Sequence, residues 1–123
     1  MNKKLYLLIG LPCVGKSTWV KSFLSNSNDQ HYSIMSTDQY LEGWALNEGI
    51  SYHESFDKYY KHAERAMRAN LFRSVKQGFN IIWDQTNLTK ASRKWKLSIT
   101  PQDYEKIGIY FPTPNGHAQL IAE

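Results

Sequence analysis

Between Gly10 and Ser17 the chain reads G-L-P-C-V-G-K-S, which is the spacing G-x-x-x-x-G-K-S. Residues of these types in this order suit the holding of a polyphosphate. Glycines let the backbone curl so that successive N–H groups converge on phosphate oxygens, the lysine reaches the terminal phosphates, and the hydroxyl after it meets the magnesium ion that bridges them. The candidate nucleotide-binding residues are Gly10, Pro12, Cys13, Val14, Gly15, Lys16, Ser17 and Thr18, with Ser17 the magnesium ligand. A helix beginning at Ser17 directs its positive dipole end at the same anion.

As a bare pattern this spacing also arises by chance, so the elements on either side decide it. Leu5 to Ile9 is an apolar run too short to span a membrane and of the right length for a buried strand. Trp19, Val20, Phe23 and Leu24 recur at helical spacing just after the loop. Strand, loop and helix in that order are the setting a phosphate loop requires. Residues 25–31, S-N-S-N-D-Q-H, are polar turn formers that return the chain toward a second strand, Tyr32 to Ser36. Asp38 stands just past that strand's end, on the side of an open parallel sheet where ligands bind. It is a candidate catalytic base, or an N-cap of the helix that follows.

Residues 39–50, broken by Gly43 and Gly49, suggest a short helix and a loop. Glu54 to Gln77 predicts the clearest helix, with Phe56, Tyr60, Ala63, Met67, Leu71 and Val75 along one face and Gly78 as its stop. Its other surface carries Lys58, Lys61, Arg65, Arg68, Arg73 and Lys76, a solvated face or a nucleic-acid track. Phe79 to Trp83 predicts a third strand, and Asp84 follows it directly, where a carboxylate can hold a metal's water shell or organise an acceptor. Residues 90–98 suggest a basic helix closed by Thr100-Pro101, and Tyr104 to Phe111 a fourth strand. Pro112 to Gly116 reads as a turn and residues 117–123 as the start of a further helix. The expected architecture is α/β: a P-loop NTPase-type parallel sheet of about four strands with helices on both faces.

A chain of 123 residues is one domain by the usual size prior. Hydrophobic residues at 41% and charged residues at 21%, with no stretch resembling a membrane helix or secretory signal, lead to the expectation of a soluble, cytoplasmic protein without a membrane partner. A net charge of +4 favours polyanionic partners without separating nucleic acid from nucleotide. Cys13 is the single cysteine, so no internal disulfide forms, and its place in the phosphate loop suggests a reducing compartment. It reads as a small loop filler, the other reading being an oxidation site that blocks ATP.

Other chemistries lack their residues. His53-Glu54 has Asp57 where H-E-x-x-H needs its second histidine, and His62-Ala63-Glu64 is not followed by the C-x-x-C of a zinc deaminase. Neither G-x-S-x-G nor the dinucleotide fingerprint G-x-G-x-x-G is present. No N-K-x-D base-reading motif appears, which counts against a plain GTPase.

With G-L-P-C-V-G-K-S-T-W near the start, S-T-D-Q-Y after the second strand and I-I-W-D-Q-T-N-L-T after the third, the chain resembles phage polynucleotide kinase domains over nearly its whole length. The resemblance implies a small P-loop kinase of nucleic-acid repair that moves the γ-phosphate of ATP, with magnesium, to the 5′-hydroxyl of DNA or RNA. It implies Lys16 and Ser17 as phosphate and magnesium residues and Asp38 as the general base. Asp84, Thr86 and Asn87 match the D-x-T-N element on the acceptor side, and Arg93 matches a basic residue of the next helix. Two departures stand out. Leu41 replaces an arginine that contacts substrate phosphate in that family, and the sequence ends at Glu123, about where the family continues into a helical lid. The expectation is a single kinase domain over residues 1–123 in a form truncated before the lid. The alternatives are a kinase of a small hydroxylated molecule, such as a nucleoside or sugar, and a non-catalytic nucleotide-binding module.

Overall fold

The computed structural model describes residues 3–12, 14–27 and 31–112. Cys13, most of the expected turn at residues 112–116 and the expected helix start at 117–123 lie outside the described residues. In chain order the elements are β1 (Lys3–Ile9), α1 (Lys16–Ser25), β2 (Tyr32–Met35), α2 (Asp38–Glu48), α3 (Tyr52–Gln77), β3 (Asn80–Trp83), α4 (Lys90–Ile99) and β4 (Tyr104–Tyr110).

The four strands form one parallel sheet in the order β2-β3-β1-β4. Its core strands are the apolar runs of the sequence, and alternation within them supplies both faces of the sheet. Leu5 and Leu7 join Ile81, Trp83, Met67 and Leu71 on one side, whereas Leu8 joins Ile82 and Val20 on the other. Burying one such side chain fully contributes about 2 kcal/mol. Parallel strands need crossover helices, and the right-handed rule fixes where these go. The step from β1 to β2 runs one way across the sheet and the next two steps run back, so α1 covers one face and the later helices the other. The packing agrees: Trp19 and Phe23 of α1 lie against the Leu8 cluster, and Met67, Leu71 and Trp95 of α3 and α4 against the Leu5 cluster. The expected α/β fold, a parallel sheet of four strands with helices on both faces, is what the chain adopts.

Two expectations need correction. Residues 39–50 are not a short helix and loop, because α2 runs unbroken through Gly43 to a left-handed C-cap at Gly49 (φ 69°). A mid-helix glycine costs about 1 kcal/mol. Tertiary packing outweighs this: Leu41 and Ala45 are buried, and the Ser55 hydroxyl donates to the Leu41 carbonyl at 2.8 Å. The second correction concerns α3, which starts at Tyr52 because Ser51 and Glu54 form a reciprocal capping box. Its apolar face also outruns the core. Ala63, Met67 and Leu71 are buried as expected, but Phe56 is 39% exposed.

Candidate active site

The phosphate loop leaves β1 at Gly10, whose N–H donates to the Thr86 carbonyl at 3.0 Å. A Cβ at Gly10 would stand 2.9 Å from the Phe111 Cβ and 3.1 Å from its carbonyl, so glycine is required here by close approach. Gly15 is required by conformation, since it caps α1 with φ 101°. No side chain caps α1 and no acidic residue stands in its first turn, which leaves the first N–H groups of the helix directed at the loop. Ser17 and Thr18 are exposed at this helix start. The Lys16 ammonium folds back to donate to the Gly10 carbonyl at 2.7 Å and the Gln85 carbonyl at 3.3 Å. Burial holds its pKa below the usual lysine value, and the nearby Asp84 and Asp38 carboxylates oppose that shift.

Asp38 is the first residue of α2 and its side chain is not spent on capping. Thr37 occupies the N-cap and makes no side-chain cap bond, and the Asp38 N–H donates to the Ser36 hydroxyl at 3.2 Å. The carboxylate instead accepts a hydrogen bond from the Tyr52 phenol, 2.5 Å from Oδ1. Asp84 lies just past β3 with its N–H donating to the Met35 carbonyl at 2.8 Å, which draws the ends of β2 and β3 together. Beside these ends a cleft of about 500 Å³ opens between α1 and the start of α2, lined by Pro12, Ser17, Ser36, Asp38, Glu42 and Asp84 among others. Thus the structure brings together the phosphate loop, Asp38 and Asp84. Burial pushes the Asp84 carboxyl above its usual value, and Asp38 adds to this while Lys16 opposes it.

The D-Q-T-N segment after β3 is held from inside. Gln85 accepts from the Trp83 indole at 2.9 Å and donates to the Thr37 hydroxyl at 3.1 Å, next to Asp38. Asn87 is buried with φ 51°, and its amide donates to the carbonyls of Leu8 at 2.7 Å and Gln85 at 3.1 Å. Its carbonyl oxygen accepts from the Lys96 ammonium, which also reaches the Ser92 hydroxyl at 3.2 Å. Arg93 donates to the carbonyls of Asn87 and Leu88, each at 3.1 Å. Hence Asn87 and Arg93 fix the loop, while Thr86 is half-buried on the wall of a smaller polar pocket with Tyr60, Glu64, Gln85, Trp95 and Lys96. Leu41 is fully buried and presents nothing to the cleft.

Tyr52, Gln85 and Lys96 join the site although none of them is expected there from the sequence. The S-x-x-E capping box at Ser51 was a legible signal for Tyr52, because it fixes where α3 starts. For Lys96 the basic segment 90–98 offered no distinction between a buried ammonium and its exposed neighbours.

The donor set suits magnesium: the Ser17 hydroxyl and the Asp84 carboxylate are hard oxygen ligands lining one cleft. Among the described residues no three His, Cys, Asp or Glu side chains cluster as a complete metal cage. An ion here would draw its remaining ligands from water and phosphate, as magnesium does. No helix among the described residues is long and apolar enough to cross a membrane.

A family model described as "AAA domain" matches residues 5–119. No curated protein matches the sequence. Among solved structures, the chain is similar to one described as "Structure of Pnkp1/Rnl/Hen1 complex", with a TM-score of 0.69 and 20% identity over 92% of this chain and 36% of that one. It is also similar to "Structure of the Pnkp1/Rnl/Hen1 RNA repair complex", with a TM-score of 0.70 and 20% identity over 98% of this chain and 36% of that one. The chain therefore spans about a third of the length of the solved chains it matches.

Proposed function

The chain belongs to the AAA domain family, and from that premise we propose that it is an ATP-dependent polynucleotide 5′-hydroxyl kinase domain. The carrying observation is the Asp38 carboxylate, oriented by Tyr52 and facing the cleft that Ser17 and Asp84 also line. The AAA family match and the likeness in fold to a chain of an RNA repair complex support the reading.

Phosphoryl transfer is mainly positioning and charge stabilisation. Bound ATP with magnesium supplies the γ-phosphoryl group and neutralises charge on its oxygens. Lys16 and the N–H groups at the start of α1 hold the phosphates, with Gly10, Pro12, Cys13, Val14, Gly15 and Thr18 completing the loop. Ser17 and Asp84 would hold the magnesium ion, which would neutralise charge on the phosphate oxygens. Asp38 accepts the proton of the acceptor hydroxyl as its oxygen bonds to the γ-phosphorus and the bond to the β–γ bridging oxygen breaks, releasing ADP. Thr86 and Asp84 line the acceptor side, and Asn87 and Arg93 position that loop.

The test is transfer of labelled γ-phosphate to a 5′-hydroxyl oligonucleotide, with the 5′-phosphorylated strand as control. Label should enter the first strand alone. Asp38→Asn should lower transfer about 10²- to 10⁴-fold while sparing ATP binding, and Lys16→Ala should impair both. Transfer by Asp38→Asn at the wild-type rate would remove the base assignment. One observation favours a second reading, a kinase of a small hydroxylated molecule. Leu41, in place of a phosphate-contacting arginine, is sealed in the core. Oligonucleotides would then fail to compete with the acceptor.

A further inference from the structure

The apolar stripe of α3 that packs Ala63, Met67 and Leu71 into the core continues toward the helix start as Tyr60, Phe56 and Tyr52, each four residues from the next. There the core has ended. Tyr52 is 41% and Phe56 39% exposed, and Tyr60 is half-buried. The three rings form a contiguous row, with centroids 6.3 Å apart for Tyr52 and Phe56 and 4.9 Å apart for Phe56 and Tyr60.

Both ends of this row carry chemistry. At one end the Tyr52 hydroxyl is bonded to Asp38. At the other, Tyr60 forms a wall of the polar pocket that holds Glu64, Asn87 and Lys96. The Tyr60 phenol is pushed above its usual value by burial and then by Glu64 and Asp38, which places it in the field of both carboxylates. Eight residues of helix span about 12 Å, enough for two or three stacked bases.

We propose that the Tyr52–Phe56–Tyr60 face is a stacking platform for the 5′-terminal bases of a single-stranded nucleic acid, whose first hydroxyl lies at Asp38 and whose path leads toward the Lys96 pocket. The inference rests on the reading of Asp38 as the base for a nucleic-acid acceptor. The ends of the row select what can occupy it. A ligand that meets a proton acceptor at one end, flat aromatic faces in the middle, and a pocket of hydrogen-bonding side chains at the other has a hydroxyl, planar rings and polar edges. A nucleotide strand has all of these. Stacking also compensates for Leu41, since a strand gripped through its bases needs fewer phosphate contacts at that point.

The experiment measures fluorescence anisotropy of the full chain with a short 3′-labelled, 5′-hydroxyl single strand, and with the same strand made abasic at its 5′ positions. Phosphoryl transfer to both strands is followed in parallel. Removing the bases should weaken binding by at least about thirtyfold, and Phe56→Ala should weaken the intact strand about tenfold while leaving the abasic strand unchanged. Phe56→Trp should hold the wild-type affinity. Phe56 is exposed, so an unchanged thermal midpoint will show that the alanine variant is folded. Equal binding of intact and abasic strands, no detectable binding of the intact strand, or equal loss for both in Phe56→Ala would overturn the platform. So would a dimer abolished by Phe56→Ala, which would assign the face to a second copy of the chain. Base-dependent binding without transfer would sink the kinase reading and leave the platform standing. Transfer to both strands with equal binding would do the reverse.

Discussion

The phenol of Tyr52 donates to Oδ1 of Asp38 across 2.5 Å, joining the first turn of α3 to the first residue of α2. One carboxylate oxygen is thereby held, and in the proposed reaction the other would receive the proton of the acceptor hydroxyl. Burial and this bond push the phenol well above its ordinary value of 10, so it remains a donor through the whole neutral and mildly alkaline range. A hydrogen bond to a charged group is worth about 1.5–3 kcal/mol, and its loss lets the carboxylate rotate. Tyr52→Phe should lower kcat by about tenfold without changing KM for ATP. Steady-state kinetics at saturating acceptor will check this, and an unchanged kcat would mean that Tyr52 does not orient the base.

Lys96 offers a test through pH. Burial lowers its pKa from 10.5 to about 8, with Glu64 opposing and Lys16 adding to the shift. The unfolded chain therefore binds more protons than the folded one between those two values, and stability gains from rising pH in that window. The difference in urea midpoint between wild type and Lys96→Met should move in favour of wild type as pH climbs from about 8 to about 10.5. The comparison cancels the titration of the tyrosines, and a flat difference would show that Lys96 is not desolvated.

Two glycines should respond in opposite directions to the same change. Gly10→Ala forces a methyl to within 2.9 Å of Phe111, against the end of β4, and overpacking of this kind costs about 1–3 kcal/mol. Gly43→Ala meets nothing within 4 Å on the exposed side of α2 and should stabilise by about 0.5–1 kcal/mol. Thermal midpoints measure both. Stabilisation by Gly10→Ala would contradict the close approach of the phosphate loop to Phe111.

Asn87 is the junction of the loop that follows β3. Asn87→Ala removes donors to Leu8 and Gln85, takes the oxygen from the buried Lys96 ammonium, and keeps a left-handed φ of 51° that alanine disfavours. Leaving such groups unsatisfied should cost at least about 2 kcal/mol. Denaturant unfolding will show it, and a loss under half that size would mean that water replaces the amide.

The phosphate loop was legible because its chemistry is local: glycine conformation, lysine reach and a following helix all lie within a few residues. The first three strands were legible for a similar reason, as short apolar runs ending just before Gly10, Asp38 and Asp84. Tyr52 was not, because its partner lies fourteen residues away and meets it only when α2 packs on α3. Gly43 misled because a local helix penalty was outweighed by the burial of Leu41 and Ala45, a tertiary gain no window of sequence contains. Phe56 fitted the helical period of the core, but periodicity gives direction and not the length of the sheet beneath it.

The strand order β2-β3-β1-β4 also governs how the chain can be assembled. The first strand made has no neighbour among the residues that immediately follow it, since β1 pairs with β3 and β4, and β2 pairs with β3. While the chain is being synthesised, β1 and β2 must wait without the strand that joins them until Asn80–Trp83 emerges between them. Closing that span is one late event that seats three strands together and exposes the nascent chain to aggregation beforehand. The arrival of β3 also carries Asp84 to the edge of the phosphate loop, so the cleft and the sheet come into being in the same step.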